Sequence, residues 1–439
     1  MKNILINSPS YDRRGKVLEA LHQQNAHLEA IYREAKYKKM EASPYIFYRG
    51  TNHLFWADFA GDWLLHRFGG EAGCRTWLQG DAHVYNMGAF LNHHDEVIFG
   101  LDDFDDSLVA DYQYDVWRFV ASMVLDAREN GHLSESDITN GLKAFSQSYL
   151  TYLVSYDSDN SQKETHYTAE NTHSRLSKFL EKTAQKESRH KMLTKWTNAG
   201  NSETFRTDIE KLAPVEGEER TELIEALKAY RKTLSGQISS DDDTHFEVKD
   251  VARRLWAGTG SLGEPRFYIL LAGDESTHFD NVILDVKRQN APTAYSFLSQ
   301  EEIDEYNVNF ENHAQRQAEA FKALAEHPDN YLGWLKFGND WFSVRERSPF
   351  KGDFPSEKLN TKKKYVKMAK QWGKVLATEH QRAGRHLNAE NDPYLFENTI
   401  RRLTDERHKE FSELVEQIAF RYADQVTKDW EYFCEHLQS

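Results

Sequence analysis

Asp81 and Asn86 stand five positions apart in Gly80-Asp81-Ala82-His83-Val84-Tyr85-Asn86, on a loop expected to follow a strand. In phosphoryl transfer a carboxylate orients or takes the proton of an attacking hydroxyl, and a nearby amide oxygen holds a metal ion. Alone the spacing says little, because Asp and Asn populate turns for their own hydrogen-bonding reasons. Farther on, Leu101-Asp102-Asp103-Phe104-Asp105-Asp106 puts four carboxylates into five positions. Their repulsion is costly unless cations or donors compensate, and magnesium needs only one or two protein carboxylates beside phosphate oxygens. A solvated acidic turn is the plain alternative.

A third pattern, Gly258-Thr259-Gly260-Ser261-Leu262-Gly263, is a G-x-G-x-x-G between two predicted strands. Before a helix it would suggest a dinucleotide fold. Between strands it suggests a flap whose backbone N–H groups approach phosphates, with an ordinary hairpin turn as the alternative. Lys287 follows in Val282-Ile283-Leu284-Asp285-Val286-Lys287. A lysine in so apolar a strand is seldom there for packing. It is expected to face a nucleotide's α- and β-phosphates, paired with a carboxylate from the next helix. Among Glu301, Glu302, Glu305, Glu311 and Glu319, the choice falls on Glu319. These four patterns form the parts list of a kinase, but base loop and metal aspartates precede flap and lysine. Circular permutation of a kinase-like fold accounts for the order, since permutation is tolerated where termini lie close together at the surface.

Elements must hold these groups in place. RTWLQ and EVIFGL read as strands flanking a polar loop, and each runs into aspartates. Residues 14–40 repeat apolar positions at helical spacing and predict one amphipathic helix. SPYIFYRG predicts a short extended segment or tight turn between Pro44 and Gly50. HLFWADFAGDWLLHRF and DYQYDVWRFVASMVLDAREN predict helices. A polar loop is expected at 155–174, weakly patterned helices from there to Ser235, and a turn-rich break at 237–245. The stretches around 248–271 and 282–288 then alternate as hairpins. One helix is expected from EEIDEY to KALAEH, then strands in YLGWLKFG and WFSVRERS, then helices from 362 onward.

The expected class is α+β: a kinase-like two-lobed fold, circularly permuted, with additional helices. Its parts are a helical extension at 1–42 and the catalytic-loop and metal-site part of the helical lobe at 43–154. A helical insert and connector at 155–243 leads to a β-rich nucleotide-binding lobe at 244–352, and C-terminal helices at 353–439 complete the helical lobe.

Composition narrows the function classes. With 55 basic and 70 acidic residues the formal charge is −15, which disfavours nucleic acid as a partner. The same acidity suits a cationic small-molecule acceptor. Aromatics make up 13% of the 439 residues, enough large rings to bury a sizeable core. Cys74 and Cys434 lie too far apart for a metal motif, and free thiols are expected. No apolar run is long enough for a signal segment or a membrane span, so the expectation is a cytoplasmic protein with no membrane partner.

SPYIFYRG (43–50), QGDAHVYNMG (79–88), LDDFDD (101–106) and YDVWRFVAS (114–122) occur in order along the chain. DVARRLWAGTGSLG (250–263), LDVKRQ (284–289), YLGW (331–334), VRERSPFK (344–351), LATEHQRAG (376–384) and YADQ (422–425) continue it. Together they resemble the bacterial domain of unknown function numbered 2252, grouped with the protein-kinase-like superfamily, over nearly the whole chain. Arg288 stands where that family usually has Glu after the lysine. Gln79 replaces the His common before Gly-Asp in aminoglycoside-kinase-like relatives. The resemblance implies a fold and a nucleotide site but no known substrate, and fold does not equal function.

The expected function is ATP- and Mg²⁺-dependent phosphotransfer to an unknown acceptor, small molecule or protein. Asp81 would be the base, Asn86 and Asp103 metal ligands with Asp105 as a second aspartate, and Lys287 the phosphate lysine paired with Glu319. Gly258, Gly260, Ser261 and Gly263 would form the flap. Arg49 is either a phosphate clamp or an arginine stacked on neighbouring rings, and Arg345 and Lys351 invite the same two readings. His83 is expected as a strut of the loop, His93 and His94 as solvent-facing or structural. Asp115 is expected to bond the loop backbone from a helix start. A nucleotide-binding regulator without catalysis and a nucleotidyl transferase are the rival readings.

Overall fold

The computed structural model describes residues 10–154, 166–198, 203–234, 246–258, 262–273, 280–307, 310–325 and 329–436. Its strands are β1 (Arg75–Leu78), β2 (Met87–Leu91), β3 (Val97–Leu101), β4 (Leu108–Asp111), β5 (Leu212–Pro214) and β6 (Val248–Arg254). They continue with β7 (Arg266–Leu271), β8 (Val282–Arg288), β9 (Gly333–Phe337), β10 (Asp340–Glu346) and β11 (Gly352–Asp353). Three sheets result: β1 beside β4, β11-β2-β3, and a six-stranded sheet in the order β5-β6-β7-β8-β10-β9. All the pairings among the described residues are antiparallel. The class is mixed α+β, helix-rich, with several antiparallel sheets.

Strand alternation divides the six-stranded sheet into two faces. Phe267, Ile269 and Leu271 of β7 join Val282, Leu284 and Val286 of β8 in one core, closed by Leu223, Leu227 and Tyr230 of the helix Gly217–Tyr230. On the other face, Leu270 and Ile283 pack with Tyr268 under Met192, Leu193 and Trp196. Farther along that face stand Arg266, Asp285, Lys287, Ser343 and Arg345, which line a cleft. The sheet is thus apolar on one side and half polar on the other. The polar half faces the acidic loop.

The helical part is built around the helix Gln113–Asn130, whose residues 113–127 are all buried. Helices Glu135–Val154, Lys362–Leu387 and His408–His436 surround it. Phe119 stacks on Phe145 at 5.3 Å and meets Trp372 edge-on at 5.9 Å. Gly373 lets the helices Glu135–Val154 and Lys362–Leu387 approach closely: a Cβ there would stand 2.4 Å from the Phe145 carbonyl oxygen.

Several sequence expectations are corrected. SPYIFYRG is a helix, Pro44–Gly50, because the Ser43 hydroxyl accepts the Ile46 N–H at 3.2 Å and Pro44 takes the first turn. The helix expected over 14–40 is two, Ser10–Gln24 and Ala30–Met40. Asn25 sits between them with its side-chain N–H on the Leu21 carbonyl at 2.8 Å, a local bond that competes with helix continuation. A second break separates Gln300–Asn307 from His313–Ala325, where Asn312 Oδ1 accepts the Gln315 N–H at 2.9 Å. HLFWADFAGDWLLHRF stops being α-helical after Phe59, with Gly61 at φ +69° before a 3₁₀ turn. Strands β2, β4, β5 and β11 lie where the sequence suggests no strand. All five residues of β2 are buried, so it carries no alternation to read. The break expected at 237–245 lies outside the described residues.

Gly373→Ala should lower unfolding stability by about 1–3 kcal/mol, because the added methyl meets a backbone carbonyl that cannot rotate away. Urea unfolding measures it. An unchanged midpoint would mean that the two helices separate freely.

Candidate active site

β1 runs into the loop that carries Asp81, and a buried carboxylate shapes that loop. Asp115, 1% exposed, accepts the Gln79 N–H at 2.7 Å and the Gly80 N–H at 3.0 Å. Gly80 has φ +78°, and a Cβ there would lie 1.9 Å from the Asp106 carbonyl oxygen, so this turn requires glycine. Its own carbonyl accepts from Asn52 Nδ2 at 3.0 Å and Trp56 Nε1 at 3.2 Å. These bonds fix the residue before Asp81 on both sides.

The Asp81 carboxylate receives Arg118 Nε at 2.6 Å. Arg118 is fully buried and lies over the Tyr48 and Phe55 rings at 4.2 and 5.2 Å. Burial pushes Asp81 up to about 7, with Asp106 and Asp103 adding to it, although Arg118 pulls the other way. Asn86 donates Nδ2 to the Asp81 carbonyl at 2.9 Å, which leaves Oδ1 as the end that could ligate a cation. His83 is buried and neutral, its pKa lowered by burial and by Arg49 and Arg118.

The acidic loop leaves β3 beside it. The Asp102 N–H bonds the Asn86 carbonyl at 3.1 Å, and Lys351 Nζ reaches the Asp102 carboxylate at 2.9 Å. Arg345 donates to the Asp102 carbonyl at 3.0 Å and stacks over Phe321 at 5.4 Å. Phe104 is buried and stacks on Phe321 at 4.5 Å, which pins the middle of the loop under the helix His313–Ala325. Asp103 opens into the cleft. Burial raises its pKa, then Asp105 and Asp102 raise it further, against Lys287 and Arg345. Asp105 pairs with Lys287 and accepts Gln289 Nε2 at 2.9 Å. Burial opposes its ionisation, yet these two donors hold Asp105 well below the usual carboxylate range. Arg316, fully buried on the helix His313–Ala325, donates to the Asp105 carbonyl at 2.7 Å and to Ser107 Oγ at 2.8 Å. Asp106 accepts the Thr293 N–H at 2.7 Å and Asn52 Nδ2 at 3.1 Å.

Two cavities adjoin here, of about 510 and 240 Å³. Arg49, Asn86, Asp103, Asp105, Gly258 and Lys287 line both and form their shared wall. Arg345 lines only the larger cavity, and Asp81 and His83 only the smaller. The described sequence-selected residues are thereby brought together, except Glu319 and Gly263, which line neither cavity. Glu319 meets Lys322 at 2.9 Å, and the carboxylate on Lys287 is Asp105, so the helix pairing is corrected. Gly260 and Ser261 lie outside the described residues. Gly258 and Gly263 flank them, the first with its carbonyl on Lys39 Nζ at 3.1 Å, the second packed on Tyr32. Arg49 lies over the Tyr85 ring at 5.7 Å, and its Nε is buried with no hydrogen-bond partner.

Spacing alone does not single out Arg118, Gln289 or Arg316. Arg118 had a signal in its surroundings, Val116-Trp117 before and Phe119-Val120 after, where a buried arginine needs an acid. Gln289 stands two residues after Lys287 and continues its face of the strand. Among the described residues no three His, Cys, Asp or Glu side chains are grouped as a preformed metal site. The Asn86, Asp103 and Asp105 oxygens nonetheless fit magnesium's habit of taking one or two carboxylates plus phosphate. The crowding that raises Asp103 is what a cation would relieve.

The family described as an uncharacterized protein conserved in bacteria, DUF2252, matches residues 32–436, and the chain belongs to it. No curated protein matches the chain, and no solved structure does. Among the described residues no helix is long and apolar enough to cross a membrane.

Glu379 gives the site a pH-dependent neighbour. It is 4% exposed, its carboxylate accepts the Leu101 N–H, and burial with Asp102 and Asp115 pushes it up to about 8 against Arg382 and Leu101. The folded pKa is above the unfolded one, so the stabilising contribution is complete below about pH 4.5 and fades as pH rises to about 8. Glu379→Gln should flatten that dependence. Urea midpoints at about pH 5 and about pH 9 measure it, and an equal slope in both proteins would remove the assignment.

Proposed function

We propose that this protein is an ATP- and Mg²⁺-dependent phosphotransferase on a kinase-like, circularly permuted two-lobed scaffold. One observation carries the reading. Lys287 from the six-stranded sheet pairs with Asp105 of a loop 182 residues earlier, in a wall shared with Asn86 and Asp103. Packing gives a lysine no reason to sit there, whereas phosphate neutralisation does. The order of the parts supports the permuted scaffold. Strands β6, β7 and β8, the helix His313–Ala325 and strands β9 and β10 all follow the loops that carry Asp81 and Asp103.

Asp81 orients the attacking hydroxyl and takes its proton, held in place by Arg118 and the Gly80 turn. Lys287 neutralises nucleotide phosphates, and Gly258 belongs to the turn over them. Asn86, Asp103 and Asp105 would hold Mg²⁺, which supplies charge neutralisation at the phosphate oxygens. Arg49 is the phosphate clamp of this reading, and Arg345 a strut that fixes Asp102.

Asp81→Asn should lower ATP turnover by about 10²–10⁴-fold while leaving the calorimetric Kd for ATP unchanged. Lys287→Ala should weaken that Kd. Equal ADP release by wild type and Asp81→Asn would remove the base. ATP binding with no ADP release would favour the regulator, and an adenylate on the product, seen by mass, the nucleotidyl transferase.

A further inference from the structure

We infer that the smaller cavity is the acceptor pocket and that its ligand is a small, uncharged, polyhydroxylated molecule, a sugar or cyclic polyol. The inference rests on the phosphotransferase reading. Asp81 lines this cavity and not the larger one, so an acceptor hydroxyl offered to Asp81 must come from this side. In the transfer the acceptor oxygen bonds to the γ-phosphorus. The bond from that phosphorus to the β–γ bridging oxygen breaks, its electron pair leaves with ADP, and the hydroxyl proton passes to Asp81.

Size and walls argue for a small molecule. At about 240 Å³ the cavity falls below the roughly 300–1,000 Å³ of drug-sized sites. Gln24, His27, Leu28 and Lys36 form one wall, from the N-terminal helices and the turn between them. That wall is fastened to the opposite side: His27 meets Glu264 at 3.1 Å, Lys39 meets the Gly258 carbonyl, and the Tyr32 ring packs on Trp256 at 5.1 Å. This wall narrows the approach to Asp81 and favours a small acceptor over a folded protein.

Charge argues for a neutral ligand. Lys287 is paired with Asp105, Arg288 with Glu264, and Asp81 with Arg118, while the buried Lys36 lies within the field of the Glu264 and Asp106 carboxylates. Asp106 takes two N–H donors. Arg49 and Asp103 remain, and both stand on the shared wall, where phosphate and its cation belong.

Unmet hydrogen bonds supply the recognition. Asn52 Oδ1, His53 Nε2 and His83 Nδ1 are buried atoms of cavity-lining residues with no hydrogen-bond partner. The three residues are 7, 4 and 2% exposed. Leaving such a group unpaired costs about 1–3 kcal/mol. Hydroxyls, which donate and accept at once, suit a mixed set of ring nitrogens and an amide oxygen. Asn290 at the rim adds an exposed amide.

The test uses the full chain and four panels: neutral sugars and cyclitols, amino sugars, sugar acids, and unfolded protein. Saturation-transfer NMR without nucleotide reads binding. ADP release with ATP and Mg²⁺ reads transfer, and the product is weighed. A neutral polyol is expected to bind, to raise ADP release about tenfold or more, and to leave one phosphate heavier. Asn290→Ala, an exposed change that leaves the fold alone, should raise its KM severalfold with kcat retained, and His53→Gln should do the same. Binding or stimulation confined to charged compounds or protein overturns the inference, as does no binding by any neutral polyol. Neutral polyols that bind while ATP does not would instead overturn the phosphotransferase reading and leave the pocket's ligand class standing.

Discussion

Asp115 is the point on which the site depends. Its carboxylate is buried at the start of the helix Gln113–Asn130 and gathers three donors from three directions: two successive backbone N–H groups and an imidazole. The carboxylate accepts, so His380 donates through Nε2 and its Nδ1 takes the Tyr149 hydroxyl at 2.8 Å. One acid thereby joins the end of β1, the central helix, and the helices Lys362–Leu387 and Glu135–Val154. A buried carboxylate is tolerated only with such donors, and removing them would leave its desolvation uncompensated. The loop carrying Asp81 is therefore as rigid as the core that holds Asp115.

Rigidity at that point lets opposed charges be placed without collapse. The described cleft contains more charged side chains than a packed interior tolerates, yet almost all are committed. Arg118 answers Asp81, Lys351 answers Asp102, Lys287 answers Asp105, and Arg266 answers Asp285. Arg49 and Asp103 are the exceptions, and the raised pKa of Asp103 records the imbalance. The whole-chain charge of −15 carries none of this information, because the acids that matter are balanced locally and the excess lies elsewhere.

Legibility followed the range of each interaction. Asp81, Asn86, Asp103, Asp105 and Lys287, which the fold gathers around the two cavities, stand out in the sequence because their types are unusual in their local settings: a lysine in a Val/Ile/Leu strand, four acids together. The expectation for Asp115, a helix-start acid bonding the loop backbone, agrees with its place in the structure. Glu319 could not be judged from spacing, since which carboxylate meets Lys287 is decided by how a loop from 182 residues earlier packs against the sheet. Helix limits failed for a local reason of another kind: single side-chain caps at Ser43, Asn25 and Asn312 outweigh hydrophobic periodicity. Buried strands such as β2 have no polar face, so the period-2 signal is absent where burial is greatest.

The six-stranded sheet explains why the two cavities share one wall. Lys287 and Gln289 stand on the same face of the strand end, and both reach Asp105. The β8 residues nearer the core on that face, Ile283 and Asp285, are respectively apolar and locked to Arg266. Polarity on this face therefore rises toward the loop, and charge becomes available only where the sheet ends. At that edge the Arg288–Glu264 pair fastens the sheet to the turn region contacted by the N-terminal helices. The same edge places Lys287 on the wall that both cavities share. Two adjoining cavities with one charged wall are then consequences of one strand ending against one acidic loop.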